Sequence, residues 1–420
     1  MARANAAAAV ITGANLTLLL CFSLNMVGRG LSDSFAVFLV PLGDQFRWSR
    51  KDLTGVFATS LLVYSAAAPF AGLLLARFGY RTLYLAGLVC LAVGLILAST
   101  IETLLEVYLY IGLTSGIALA TLGMVPASTL LKDWYSARLP TAIGIAYTGL
   151  GFGTLLVLPA AQYLIEVAGW RFAYRTLGEA VAVITVIVAF LPWRRIAAGS
   201  PHIARPREAA PSMKVVVQDV SRAVRRPIFW GLASVFMFTS AAMYIVMVQS
   251  VAYLVSTGVT PLRAASVMGI LGVLSLGGMV TSGYFAGRVG FAVTGVVSYS
   301  ISLAGLGLLV WLAHSPPAFA LAGFVLLFGF SQGTRGPLVA TLATREFPGR
   351  MAGPVFGCVA SAGGIGGALG SWSAGWLYDH TGHYEASFAL AATTLVLGAI
   401  VFSVFPEFRR GHARPAHADR

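Results

Sequence analysis

Apolar residues along this chain neither alternate with polar ones at the period of a strand nor form the one-sided stripe of a surface helix. They run on for about 20 residues or more at a time, interrupted by short stretches that carry Arg, Lys, Asp, Gly and Pro. A run of that length lets a helix cross the roughly 30 Å hydrocarbon layer of a bilayer. Twelve spans are expected, at 16–43, 52–76, 82–100, 105–131, 139–163, 172–191, 228–256, 262–287, 292–313, 317–342, 350–376 and 384–405. Between the sixth and the seventh lies the one long polar segment, Trp193 to Arg226, rich in Arg and Pro. It predicts a linker between two groups of six helices. The expected fold is an all-α membrane protein of twelve transmembrane helices, divided into bundles 1–192 and 228–406, a linker 193–227 and a tail 407–420.

Composition agrees with that pattern. Of 420 residues 58% are hydrophobic and only 10% charged, and the mean hydropathy is +0.82, whereas a soluble surface needs roughly 25% charged residues. Cys21, Cys90 and Cys358 each fall inside an apolar run without the spacing of a metal or redox motif, so neither a disulfide nor a metal cluster is expected. The net charge of +13 looks at first like a nucleic-acid footprint. With the N-terminus inside, however, 20 of the 28 basic residues fall on the cytoplasmic side, six in outer loops and two within spans. That asymmetry is a topology signal and an attraction to the lipid bilayer. No nucleic-acid partner is expected; the predicted location is the inner (plasma) membrane, with both termini cytoplasmic.

A duplication is visible in the loops. Gly72-Leu-Leu-Leu-Ala76-Arg77-Phe-Gly79 recurs, 211 residues later, as Gly283-Tyr-Phe-Ala-Gly287-Arg288-Val-Gly290. Glycine permits a sharp turn and a close approach of helix ends, while an arginine there can bond the exposed carbonyls of a neighbouring helix C-terminus. These residues are predicted to brace a gate. The layout of six plus six spans, the basic central loop and the repeated turn resemble the major facilitator superfamily of secondary transporters. Within it, Trp134-Tyr135-Ser136-Ala137-Arg138-Leu139-Pro140 followed by Gly149-Leu-Gly151-Phe-Gly153 is similar to the signature of the monocarboxylate and oxalate/formate transporter branch. Gly169-Trp170-Arg171-Phe172 and Asp379-His380-Thr381-Gly382-His383-Tyr384 fit outer loops common there. The resemblance implies two pseudo-symmetric halves, alternating access, a cavity lined by the first, fourth, seventh and tenth helices, and a small organic anion as cargo. It places Arg138 among the gate residues. The branch usually carries an arginine in its eighth span, which is absent between Ala264 and Gly287, so the site must be found among this chain's own charges.

A charge at membrane depth costs at least about 2.5 kcal/mol and normally faces a watery cavity. Few residues qualify. Asn25, Arg29 and Asp33, spaced four apart, share one face of the first span, and Gly28 and Gly30 leave room beside the arginine. Arg29 and Asp33 either neutralise each other as a packing pair, or Arg29 grips a substrate anion with its fork while Asp33 takes and releases a proton. Arg335, in Phe330-Ser-Gln332-Gly333-Thr334-Arg335-Gly336-Pro337, sits where the helix is expected to kink or unwind. The resemblance brings it to the cavity wall opposite Arg29; alternatively it reaches the cytoplasmic surface and braces the gate. Gln332, Tyr64, Tyr244 and Gln249 are candidate polar contacts to substrate. Glu179 is expected to pair with Arg175 one turn earlier.

The expected activity is proton-coupled transport of a small organic anion, most simply a monocarboxylate such as lactate or pyruvate, by a monomer. Dicarboxylate exchange between two arginines is the alternative, and drug efflux is disfavoured because the pocket is cationic. The phosphate-cradling GxxxxGK[ST] pattern is missing, as are GxSxG and HExxH. Neither ATP-driven pumping nor an enzyme is expected, and no cofactor.

Overall fold

The computed structural model describes residues 2–135, 139–199, 213–312, 318–347 and 352–409. Among these residues the chain is helical, with no strand. In order the helices are α1 (Ala2–Phe46), α2 (Arg50–Ala98), α3 (Leu104–Val107), α4 (Thr114–Leu122), α5 (Met124–Lys132), α6 (Leu139–Ala189), α7 (Trp193–Ile196), α8 (Met213–Val224), α9 (Pro227–Ser256), α10 (Pro261–Val289), α11 (Phe291–Trp311), α12 (Ala318–Glu346), α13 (Ala352–Thr381), α14 (Glu385–Val404) and α15 (Pro406–Arg409). A single π turn, Tyr108–Leu113, joins α3 to α4. Nine of the described stretches are long and apolar enough to cross a membrane. One of them, Thr141–Ala189, contains a non-helical glycine at its middle.

Glycine divides the longest rods. Gly79 within α2 has φ 77° and ψ 170°, and Gly169 within α6 has φ 82° and ψ 169°. Gly290, between α10 and α11, has φ 89° and ψ 162°. The same left-handed conformation, strained for any side chain, therefore reverses the chain three times. Gly79 and Gly290 are the equivalent positions of the duplicated turn. The arginines of that turn do not reach carbonyls as expected. Arg77 lies over the ring of Phe78, 5.3 Å from its centroid, and Arg288 over Tyr284 at 4.4 Å, because each is a residue or a turn from an aromatic on its own helix. The carbonyl contact is made instead by Arg81, whose Nη2 donates to Ala189 O at 3.3 Å. A Cβ placed on Gly283 or Gly287 would meet only open space within 4 Å, so no neighbouring helix requires these glycines here. Gly72 lies inside α2, and Arg138 falls outside the described residues.

Packing is set by small residues. Helix α6 lies between α1 and α10. Gly149 and Gly153 face Phe22 and Met26 of α1, where a Cβ would overlap a backbone carbonyl. On another side, Gly151 approaches α10, and its Cβ would stand 2.6 Å from Gly272 O. This is the small-residue packing that lets membrane helices meet without a hydrophobic driving force. Helix α2 packs on α13. The two clasp at one end, where the carboxylate of Asp379 accepts the backbone N–H of Arg50 at 2.9 Å and of Lys51 at 2.7 Å. Farther along, Ser65 Oγ donates to Ser361 O at 3.4 Å.

Two features were not foreseen. The fourth span is interrupted at Gly123, whose ψ of −154° separates α4 from α5. The linker also contains α7 and the amphipathic α8, which packs against α9 and α13 and buries Asp219 beside Arg222 at 3.6 Å. Gly153→Val is expected to lower stability by about 1–3 kcal/mol because the Met26 backbone cannot yield. Gly283→Ala, in open space, is expected to be neutral or to gain up to about 1 kcal/mol. Thermal unfolding of the two variants in detergent checks both outcomes.

Candidate functional site

Helix α1 delivers the charged pair. Arg29 Nε donates to Asp33 Oδ2 at 2.7 Å, one turn apart on the same face, with side-chain exposures of 21% and 4% respectively. Gly30 lets α6 approach, since a Cβ there would stand 2.6 Å from Gly153 O. That approach brings Thr154 to the pair: its Oγ1 is 3.2 Å from Asp33 Oδ2 and also 3.2 Å from Leu150 O of its own helix. A hydroxyl has one hydrogen. It can serve the carboxylate or the carbonyl, and an ionised Asp33 attracts it more strongly.

Two tyrosines complete the surroundings. The guanidinium of Arg29 lies 5.6 Å from the ring centroid of Tyr244 on α9, a cation–π contact. Tyr64 on α2 is within electrostatic reach of the same arginine. Tyr244 in turn neighbours Phe57, at 6.4 Å between ring centroids. Arg29, Asp33 and Tyr244, contributed by α1 and α9, thus meet around one charge.

The other candidates are not drawn to it. Asn25 Nδ2 bonds Cys21 O at 2.9 Å and Ala146 O at 3.4 Å, tying α1 to α6. Gln249 Nε2 bonds Ala374 O at 2.7 Å and Ser387 Oγ at 3.4 Å, between α13 and α14. The Oδ1 of Asn25, the Oε1 of Gln249 and the Oε1 of Gln332 are buried without a hydrogen-bond partner among the described residues. Glu179 pairs with Arg175 at 2.9 Å.

Arg335 has an arrangement of its own. It is 2% exposed, and its hydrogen bonds run sideways to α11: Nε to Ser298 Oγ at 3.1 Å, Nη2 to Ser298 O at 3.0 Å, and Nη2 to Ser302 Oγ. Its guanidinium covers the Tyr299 ring at 4.0 Å. Thr334 and Ser331 extend the hydroxyl cluster, through Thr334 Oγ1 to Ser298 Oγ and Ser331 Oγ to Ser302 Oγ, both 2.6 Å. Neutral oxygens and a π face solvate this cation, with no carboxylate bonded to it among the described residues. The expected meeting of Arg29 and Arg335 across one pocket does not occur, nor does Arg335 reach a surface, because the serines one turn apart on α11 supply acceptors at the height of its side chain. The expected unwinding is also absent. Helix α12 continues through Pro337, and Gly333 instead lets Ser275 of α10 pack close.

Thr154 and the Ser298/Ser302 cradle escaped the sequence reading. The signal for Thr154 is its place directly after Gly149-x-Gly151-x-Gly153, where the polar residue follows a face shaped for contact.

Helices this long and apolar, with a partly exposed ion pair among them, define a polytopic membrane protein. Residues 18–371 match the model of the Major Facilitator Superfamily, and the chain belongs to that superfamily. Monocarboxylate transporter 13 of Bos taurus is similar, with 30% identity over 387 residues covering 90% of this chain and 86% of its own. Monocarboxylate transporter 11 of Mus musculus is 28% identical over 403 residues, covering 92% and 86%. Among solved structures, the nucleoside transporter NupG superposes with a TM-score of 0.74 at 14% identity, covering 92% of this chain and 99% of its own. A bacterial homolog of the human lysosomal transporter Spinster, in an inward-facing and occupied conformation, does so with 0.70 at 16%, covering 96% and 98%.

Removing both cradle hydroxyls, Ser298→Ala with Ser302→Ala, leaves a buried cation short of acceptors. Each lost bond to a charged group is expected to cost about 1.5–3 kcal/mol. A fall in the thermal unfolding temperature, against no change for Ser266→Ala on the exposed face of α10, checks it.

Proposed function

We propose that this chain moves a small monocarboxylate such as lactate or pyruvate together with a proton, by alternating access, with Arg29 holding the anion and Asp33 carrying the proton. The observation that carries the reading is the Arg29–Asp33 pair itself: the carboxylate takes only Nε, and the guanidinium keeps a fifth of its side-chain surface open. Relatives named as monocarboxylate transporters support the substrate class.

The chemistry follows from charge conservation in the pocket. Arginine stays protonated under all physiological conditions. Empty, the pocket holds Arg29 positive and Asp33 negative, with no net charge. Once Asp33 takes a proton, Arg29 is left without a counter-charge and its fork is free for a carboxylate. Loaded, the pocket is again neutral, with the anion in place of the ionised aspartate. Proton and anion therefore favour each other's binding by equal factors, and the neutral loaded state can cross where a singly occupied one resists. Thr154 stabilises the ionised Asp33 and returns its hydrogen to Leu150 O when the proton arrives. Tyr244 and Tyr64 flank the anion.

In this reading the bundles 1–192 and 228–406 rock about the pair, joined by the linker 193–227. The clasp of Asp379 on α2 shuts the outer end, while the turns at Arg77, Gly79, Arg288 and Gly290 lie at the cytoplasmic end with both termini, in the plasma membrane. Asn25 and Gln249 hold helices in register. Arg335 fastens α12 to α11 so that the two move as one body; with Arg335 engaged there, exchange of a dicarboxylate between two arginines has no support.

Proteoliposomes containing the purified chain test the assignment. For Asp33→Asn, accumulation of labelled lactate driven by a pH gradient is expected to fall to background while counterflow persists; intact accumulation would remove Asp33 from the mechanism. Arg29→Lys, which keeps the charge but loses the fork, is expected to lower the kcat/KM of uptake about tenfold or more. Thr154→Val deprives the ionised aspartate of a donor, so half-maximal uptake is expected at more alkaline pH, with Thr154→Ser restoring the original profile.

A further inference from the structure

One charged concavity lies apart from the Arg29 site. At the start of residues 80–98 and the end of α6 there is a groove of about 430 Å³, lined by Arg81, Phe190, Leu191, Pro192, Arg194 and Arg195 among others. All three of its arginines are exposed, and its lining holds no carboxylate. Arg81 bonds Ala189 O through Nη2 alone. Arg194 and Arg195 make no hydrogen bond or ion pair through their side chains among the described residues.

The support beneath these charges is fixed. After Pro192 the chain turns into α7, whose Trp193 Nε1 donates to Val188 O at 2.7 Å. From α5's far end, Trp134 Nε1 donates to Ile196 O at 2.8 Å. Both indoles are buried. The arginines therefore project from a braced turn rather than a loose loop.

An apolar ridge leads to the groove. Val183, Val186 and Ile187 on α6 and Phe190 just past its end stand at i, i+3, i+4 and i+7, with exposures of 60, 57, 59 and 86%. They form one outward face about 10 Å long at 1.5 Å per residue. Val89 and Val93, each 49% exposed, lie on the neighbouring segment of α2. In a membrane such a ridge meets acyl chains. The groove at its end meets the headgroups, where guanidinium forks match phosphate oxygens. A ligand that satisfies both parts must be apolar along its length and anionic at its head.

We propose that this groove binds the headgroup phosphate of an anionic phospholipid, whose acyl chain lies along the Val183 to Phe190 ridge. The site is independent of the transport reading.

The test uses the full chain in nanodiscs of phosphatidylcholine, with or without phosphatidylglycerol, and follows thermal unfolding. Phosphatidylglycerol binding the folded state is expected to raise the unfolding temperature of the unsubstituted protein. Arg194→Gln with Arg195→Gln is expected to lose that rise, and Arg81→Gln to reduce it. Arg222→Gln with Arg225→Gln, the same change of charge elsewhere, is expected to keep it, and inorganic phosphate in pure phosphatidylcholine to produce none. The proposal is overturned if the Arg194/Arg195 variant keeps the full rise. Equal loss in the Arg222/Arg225 variant would replace the site by diffuse surface charge. A full rise with inorganic phosphate would replace it by a free-anion site.

Discussion

A guanidinium and a carboxylate on one helix face, 2.7 Å apart in an apolar bundle, impose the main constraint on this molecule. Neither charge can stand alone there, because the surrounding side chains offer little to replace water. The pair needs a flank narrow enough to exclude lipid and an opening wide enough to leave the arginine partly exposed. Helix α6 provides the flank. Its Gly153 sits against Gly30, so the two backbones meet where any larger residue would hold them apart and leave Asp33 beyond the reach of Thr154.

The same helix joins the pair to α10. Gly149 and Gly153 face α1, while Gly151 faces Gly272 of α10; a Cβ on Gly269 of α10 would lie 3.2 Å from Thr154 O. Thr154 therefore stands at a three-way contact. In the proposed reading, a change in charge on Asp33 would alter the hydroxyl's partner at the place where α6 and α10 touch, so the chemical event and the packing of these two helices would share one residue. Arg335 shows the opposite use of an arginine. With serine oxygens and a tyrosine ring around it and almost no exposure, it works as a rivet between α11 and α12.

What could be read from the sequence was what depends on local backbone or spacing. The apolar runs foretold most ends of the long helices to within about five residues, although α1 begins at Ala2 and not near residue 16. Gly79 and Gly290 foretold turns, because a left-handed residue leaves a glycine whatever surrounds it. Arg29 and Asp33 foretold their own contact, since four residues on a helix is one turn. The direction of Arg335 was not legible. Helical spacing says which residues share its face but not which neighbour that face meets, and Ser298 and Ser302 are distant in sequence. The break at Gly123, the π turn at Tyr108–Leu113 and α8 within the polar linker were hidden for another reason: hydropathy averaged over a membrane-spanning run registers neither a change of hydrogen-bond pattern inside that run nor a twelve-residue amphipathic helix. Thr154 looked like any small polar residue until Asp33 was beside it.

The clasp between α13 and α2 joins a side chain to main chain. Asp379 holds the peptide N–H groups of residues 50 and 51, not their side chains. Any amino acid except proline presents the same N–H, so these two bonds survive a change of side chain at 50 or 51, although the Arg50 guanidinium adds a contact of its own, 5.5 Å from the Tyr378 ring on α13. For the main-chain part of this fastening, the single codon whose mutation removes both bonds at once is that of Asp379.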